Sequence, residues 1–208
     1  MSAQPPKTAS HRPSRRGVIV DAAIKVFSSQ GFADAKVHDI AQEAGVAPTA
    51  VYYHFDGKPD LFEAALRQVL GSITELVLAT RPDDEPGSPD GLSAVISAVW
   101  SWLDDNPEAC QLLHHHLPGM TTRAVTLQRE FEDRHVSRAF DYIPRRALPA
   151  TRRSAIGRHA AEVLAARTLI GLTVLIHSMR SQDGPLAGRA DRRVREALID
   201  VCQRLLAG

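Results

Sequence analysis

Cysteine, aromatic residues, long apolar runs and an excess of either charge are all scarce in this chain. It holds only two cysteines, Cys110 and Cys202, far apart inside helical patterns. Two isolated thiols cannot build a disulfide framework, so a reduced, cytoplasmic protein is expected. Aromatic side chains make up 5% of the 208 residues and β-branched runs are short, while alanine, leucine and arginine dominate. That balance favours helices over sheet. The most apolar segment, Thr168 to Ile176, is about half the roughly 20 residues a membrane span needs, and Arg167 and His177 bracket it. No apolar stretch follows the start, so no secretory signal is expected. Net charge is only +1. A whole-molecule positive field is thereby excluded, and any affinity for nucleic acid must come from a local patch.

One such patch exists. Lys7, Arg12, Arg15 and Arg16 stand near the start with no acidic residue among them. Residues 1–14 are polar, with prolines at 5, 6 and 13, and read as a disordered basic tail. Arginines there could lie along a minor groove or on phosphates, or the tail could simply be solvated.

From Ser14, a plausible N-cap, Ile19, Ala22, Ala23, Val26 and Phe27 recur at helical steps. Gly31 stops that helix, and Phe32 is placed to fold back onto its last turn. A short helix follows from about Val37 to Ala44, Gly45 turns the chain, and Pro48 opens another helix at its first position. After Asp56-Gly57 a longer helix runs from about Pro59 to Ala79. Residues 81–89 form a proline-rich, acidic loop. Helical patterns then cover about 91–105, 107–117, 121–143, 149–181 and 190–206. The expected fold is all-α, with about nine helices and no strand.

The segment Gly31 to Leu61 reads physically as a helix-turn-helix. Ala41 lies where a larger side chain would push the second helix away, Gly45 permits the sharp turn, and Val46 and Val51 plug the angle. Thr49, Tyr52 and Tyr53 are left exposed, as groups able to reach base edges and phosphates. The bland alternative is a tight corner within a helical bundle.

The residues of this segment resemble the N-terminal domain of the tetracycline-repressor (TetR) family. They are Gly31-Phe32, Val37-His38-Asp39-Ile40-Ala41, Ala44-Gly45-Val46, Val51-Tyr52-Tyr53-His54-Phe55 and Lys58. The resemblance covers roughly Gly17 to Leu61. It implies that Pro48, Thr49, Ala50 and Tyr52 meet the major groove, that Tyr53 and His54 touch phosphate, and that Lys58 caps the next helix while meeting the DNA backbone. Lys36 stands where the family prefers a serine or threonine cap, a loss of about 1 kcal/mol, and could instead pair with a phosphate. His38 lies where some members carry a base-reading arginine, with a solvated surface histidine as the alternative.

The resemblance further implies three regions: residues 1–14 as tail, 15–60 as DNA-binding domain, and 61–208 for ligand binding and dimerisation. Dimerisation also has support from the residues themselves. Between Val163 and Ile176 only Arg167 is charged, so that helix is apolar all round and needs cover on two sides. Leu172 and Leu175, with Val194, Leu198, Val201 and Leu205 on the last helix, are the expected interface. Trp100, Leu103, Phe131, His135 and Tyr142 fall on helices that line the cavity in the family, though such residues are more often plain core than ligand contacts. His114 joins them, because one of the histidines at 114–116 is expected to face the core. Cys110 and His114 share a helix face, but two ligands with no third make no metal site, and no metal or cofactor is expected. Glu132 and His135 read as a surface pair. With no nucleophile motif or phosphate-binding loop, no enzyme is expected.

The function these features imply is a ligand-responsive repressor. It binds a palindromic double-stranded DNA operator as a homodimer, is released by a small organic molecule, and has no membrane partner. A ligand-independent DNA binder, an activator, or more remotely a helical small-molecule enzyme are the alternatives.

Overall fold

The computed structural model describes residues 14–80, 89–116, 126, 130, 158–180 and 184–207. Among them the chain is all-helical, with eight helices and no strand: α1 (Arg15–Asp34), α2 (Val37–Glu43), α3 (Pro48–His54), α4 (Lys58–Ala79), α5 (Pro89–Asp105), α6 (Pro107–His116), α7 (Arg158–Ser178) and α8 (Asp191–Ala207). Of the helix expected over 121–143 only Thr126 and Glu130 are described, both helical, and the start of the one expected from 149 lies outside the described residues.

Helix α1 starts where its cap dictates. The Ser14 hydroxyl accepts from the Gly17 N–H at 3.1 Å, satisfying one of the donors a helix N-terminus leaves open. Its apolar face, from Ile19 to Phe27, is buried against α4 and α6. At Gly31 the backbone turns to φ 74°, ψ 170°, a conformation open essentially to glycine, and the helix continues as a separate short turn to Asp34. That kink returns Phe32 to the helix. Phe27, Phe32 and Phe62 then form an aromatic cluster, with centroids 5.2 Å apart for Phe27–Phe62 and 5.0 Å for Phe32–Phe62. Such edge-on pairs add about 0.5–1.5 kcal/mol each beyond the area they bury.

Helix α4 carries buried residues on both sides of its length, from Leu61 through Leu66 and Ile73 to Val77. It packs on both α1 and α5. Helices α5 to α8 pack as a second body, with α5 against α7 and α8, and α6 against α7. Trp100, Leu103 and Leu112 lie fully buried in its core. Helix α6 is shared, because it also packs along α1.

Candidate nucleic-acid interface

Helices α2 and α3 pack on each other through a tight turn. Ala41 is buried, and its carbonyl accepts from the Val46 N–H at 3.0 Å across the turn. Gly45 holds φ at 66°, in the left-handed region where side chains are disfavoured. Val51 is fully buried and Val46 packs at the core's edge, so the angle between the helices is filled with apolar atoms. Pro48 opens α3, where its missing N–H has no intrahelical partner to lose.

The outward face of α3 is then defined by what cannot turn inward. Tyr52 is 60% exposed and Tyr53 84% exposed, large values for aromatic rings. Thr49 and Pro48 are exposed beside them, and Ala50 is half-buried. His54 is half-buried, with its ring edge-on to Tyr53 at 5.0 Å. Phe55 closes the helix from inside, and Arg16 lies over its ring at 4.8 Å. This contact sets a cation of the basic N-terminal stretch next to the end of α3, a juxtaposition not visible in the linear order. Arg16 is itself exposed.

The cationic residues expected to meet DNA are placed unequally. Lys36 is exposed at the start of α2 and provides no side-chain cap, as expected for a lysine there. His38 is exposed, with Nδ1 3.7 Å from the Asp39 carboxylate. Lys58 differs from the expectation that it caps the next helix. Its ammonium donates to the Ala33 and Ala35 carbonyls at 2.9 and 3.0 Å and sits over the Phe32 ring at 4.8 Å. It therefore caps the end of α1, whose carbonyls are exposed by the Gly31 kink, and keeps one N–H donor in reserve. Helix α4 has Gly57 at its N-cap and no side-chain cap, and Asp60 of its first turn accepts from the Asp56 N–H at 3.1 Å, which fixes the residue ahead of the helix.

The expected ligand residues do not form one cluster among the described residues. Trp100 and Leu103 are core, and the Trp100 indole N–H is already bonded to Asp191. His114 is exposed, with Nδ1 3.2 Å from Ser178 Oγ, so it does not face the core. His177 is the histidine turned toward Trp100 instead, with ring centroids 5.1 Å apart. Phe131, His135 and Tyr142 lie outside the described residues. Of the expected interface, Leu172, Val194, Leu198 and Val201 line one groove of about 690 Å³ between α7 and α8, together with Ile176 and Leu186. Leu175 and Val201 are 39% and 47% exposed. Leu205 belongs to α8, but its side chain is outside the described set. Among the described residues no group of three metal-ligating side chains is found, and no helix is long and apolar enough to cross a membrane.

A tight two-helix corner that projects paired tyrosines from a short second helix has the geometry of a helix-turn-helix. The sequence profile described as "Bacterial regulatory proteins, tetR family" matches residues 19–65, spanning α1 to the first turns of α4. Over those residues the chain is similar to the TetR family of regulators. The HTH-type transcriptional regulator SrpR of Pseudomonas putida is 47% identical over 60 residues, 29% of this chain and 28% of that protein. The chain matches the curated relatives over less than two thirds of their own length. The fold extends further. A TetR-like transcriptional regulator from Rhodococcus sp. RHA1 has a TM-score of 0.69 at 20% identity, over 95% of this chain and 98% of that one. The transcriptional regulator FadR from Bacillus subtilis, in complex with stearoyl-CoA, has a TM-score of 0.66 at 17% identity, over 92% and 97%.

Proposed function

We propose that this protein is a cytoplasmic, one-component transcriptional repressor that binds a palindromic operator as a homodimer and is released by a small organic ligand. The observation that carries the reading is the pair of exposed tyrosines on α3, Tyr52 and Tyr53, beside exposed Thr49. On this reading Pro48, Thr49, Ala50 and Tyr52 enter the major groove. His38 reaches a base from α2. Lys36, Tyr53, His54 and the spare donor of Lys58 hold phosphates, which set register and affinity without reading sequence. Arg16 joins them from the basic stretch.

The division into a tail (1–14), a DNA-binding domain (15–60) and a ligand and dimerisation region (61–208) belongs to the same proposal. Its dimer rests on α7 and α8, where Leu175 and Val201 expose apolar surface beside the groove. Two recognition helices about 34–36 Å apart would then enter successive major grooves. The organic ligand is supported by the fold-level likeness to FadR, which is in complex with stearoyl-CoA. A ligand acts only by binding better to a state with different helix spacing. Helix α4, which packs against both α1 and α5, is the element able to carry that difference.

Binding of the purified protein to DNA fragments from around its own gene, over a series of salt concentrations, tests the proposal. A sequence-specific complex whose affinity falls steeply with salt is expected. Binding no tighter than to random DNA, for every fragment, would remove its basis.

A further inference from the structure

A polar chain joins α5, α6, α7 and α8, and operator binding makes no use of it. Cys110 on α6 has its Sγ 3.3 Å from Nδ1 of His177 on α7, and His177 Nε2 lies 2.9 Å from the Asp104 carboxylate at the end of α5. An ionised carboxylate only accepts, so Nε2 carries the proton and Nδ1 is left to accept from the thiol S–H. Arg180, in the turn just after α7, binds the same Asp104 oxygen at 3.1 Å and pairs with Asp191 of α8 at 2.8 Å. Trp100 stands edge-on to the imidazole, with ring centroids 5.1 Å apart. Thiol, imidazole and carboxylate thus lie in the order that general-base activation of a nucleophile requires.

The second thiol is the contrast. Cys202 on α8 is fully buried, and burial alone pushes its pKa up. Burial also pushes the Cys110 thiol up, to about 11, with Asp104 adding to the effect and Arg180 opposing it. The Cys110 thiol therefore rests as S–H and reacts only when its proton is taken away as the new bond forms. The residue is 5% exposed. The chain nevertheless opens outward, since the side chains of His177 and Asp104 are 11% and 41% exposed.

We propose that Cys110, with His177 as base and Asp104 as its positioning residue, is a modification site for small electrophiles of the α,β-unsaturated carbonyl class. Cys110 Sγ adds to the β-carbon, forming a C–S bond as the C=C π bond breaks. The thiol proton passes to His177 Nδ1, and Asp104 holds the imidazolium. That proton then goes to the α-carbon, which leaves a saturated thioether and returns His177 to its neutral form. No oxidant is consumed. The site sits on α6, the helix that packs against both α1 and α7, so an adduct is carried by a helix in contact with the DNA-binding domain.

The full chain, treated with acrolein and followed by peptide mass spectrometry over time, tests this without reference to DNA. Cys110 is expected to be labelled first, at a rate on the order of 10²-fold above that of Cys202, the scale of general-base assistance. His177→Gln and Asp104→Asn are each expected to slow Cys110 while leaving Cys202 unchanged. Cys202 reports any loosening of the bundle in the same molecule. Equal labelling of the two thiols in the unaltered protein would overturn the proposal. So would a Cys110 rate unchanged or raised in both variants, because the chain would then be a structural cross-tie.

Discussion

The indole N–H of Trp100 on α5 donates to the Asp191 carboxylate at the start of α8 across 2.7 Å, joining residues 91 positions apart. Asp191 also holds Arg180, whose guanidinium lies over the Trp100 ring at 5.2 Å. Trp100 is fully buried, so its N–H has no water to fall back on. Trp100→Phe removes a hydrogen bond to a charged group and leaves a small void. A loss of about 2–4 kcal/mol in urea unfolding is expected. Asp191→Asn, which keeps an acceptor, should cost less, and an equal or larger loss would point to the Arg180 pair as the stronger tie.

Gly31, which precedes the helix-turn-helix, and Gly45, in its turn, should respond differently to substitution. A Cβ at Gly31 or Gly45 would meet no atom within 4 Å, so the penalty is in the backbone alone. Gly31→Ala forces alanine into a glycine-only region and is expected to cost about 1–3 kcal/mol. Gly45→Asn places a residue that visits the left-handed region and should cost less than about 1 kcal/mol. Thermal unfolding of both variants checks the order, and the reverse order would place the strain at the α2–α3 turn.

Tyr52→Ala should separate binding from stability. The ring is mostly exposed, so unfolding is expected to shift by less than about 0.5 kcal/mol. Operator affinity should fall by about 1–3 kcal/mol, the scale of one base-reading contact. A titration showing unchanged affinity and base preference would remove Tyr52 from the readout.

The proposed dimer can be broken at positions that the protomer does not need. Leu198 is buried in the protomer, so a charge there would unfold it, whereas Leu175 and Val201 are exposed. Leu175→Glu with Val201→Glu is expected to give a folded monomer by sedimentation, with helical circular dichroism retained. A variant that stays dimeric would place the interface elsewhere.

Alkaline pH should destabilise the fold through its thiols. Burial raises Cys110 from an ordinary 9.0 to about 11 and raises Cys202 as well. Between those values the unfolded chain has released a proton that the folded chain still holds, so stability falls as pH rises. The contribution is complete below about pH 9 and lost by about pH 11. Unfolding midpoints measured across that window should fall less steeply in Cys110→Ala. An identical slope would assign the alkaline loss to other groups.

What the sequence determined by itself is local. Ser14, Gly45 and Pro48 mark helix ends because capping, left-handed turns and proline act on neighbours a few residues away, and the structure has those ends there, while Gly31, expected to stop α1, kinks it before a last turn to Asp34. The apolar spacing of α1 and α4 declares their buried faces for the same reason. Exposed Tyr52 and Tyr53 follow from Val51 and Phe55, whose burial leaves the tyrosines no inward direction. Tertiary structure alone decided who bonds to whom across the chain. Lys58 reaches Ala33 and Ala35 because the Gly31 kink brings the end of α1 beside the start of α4. Cys110 meets His177, rather than His114 four residues along its own helix, because α7 docks against that face of α6. Such pairings depend on how whole helices settle against one another. That packing sums many weak apolar contacts, none of which leaves a mark at the polar residues it brings together.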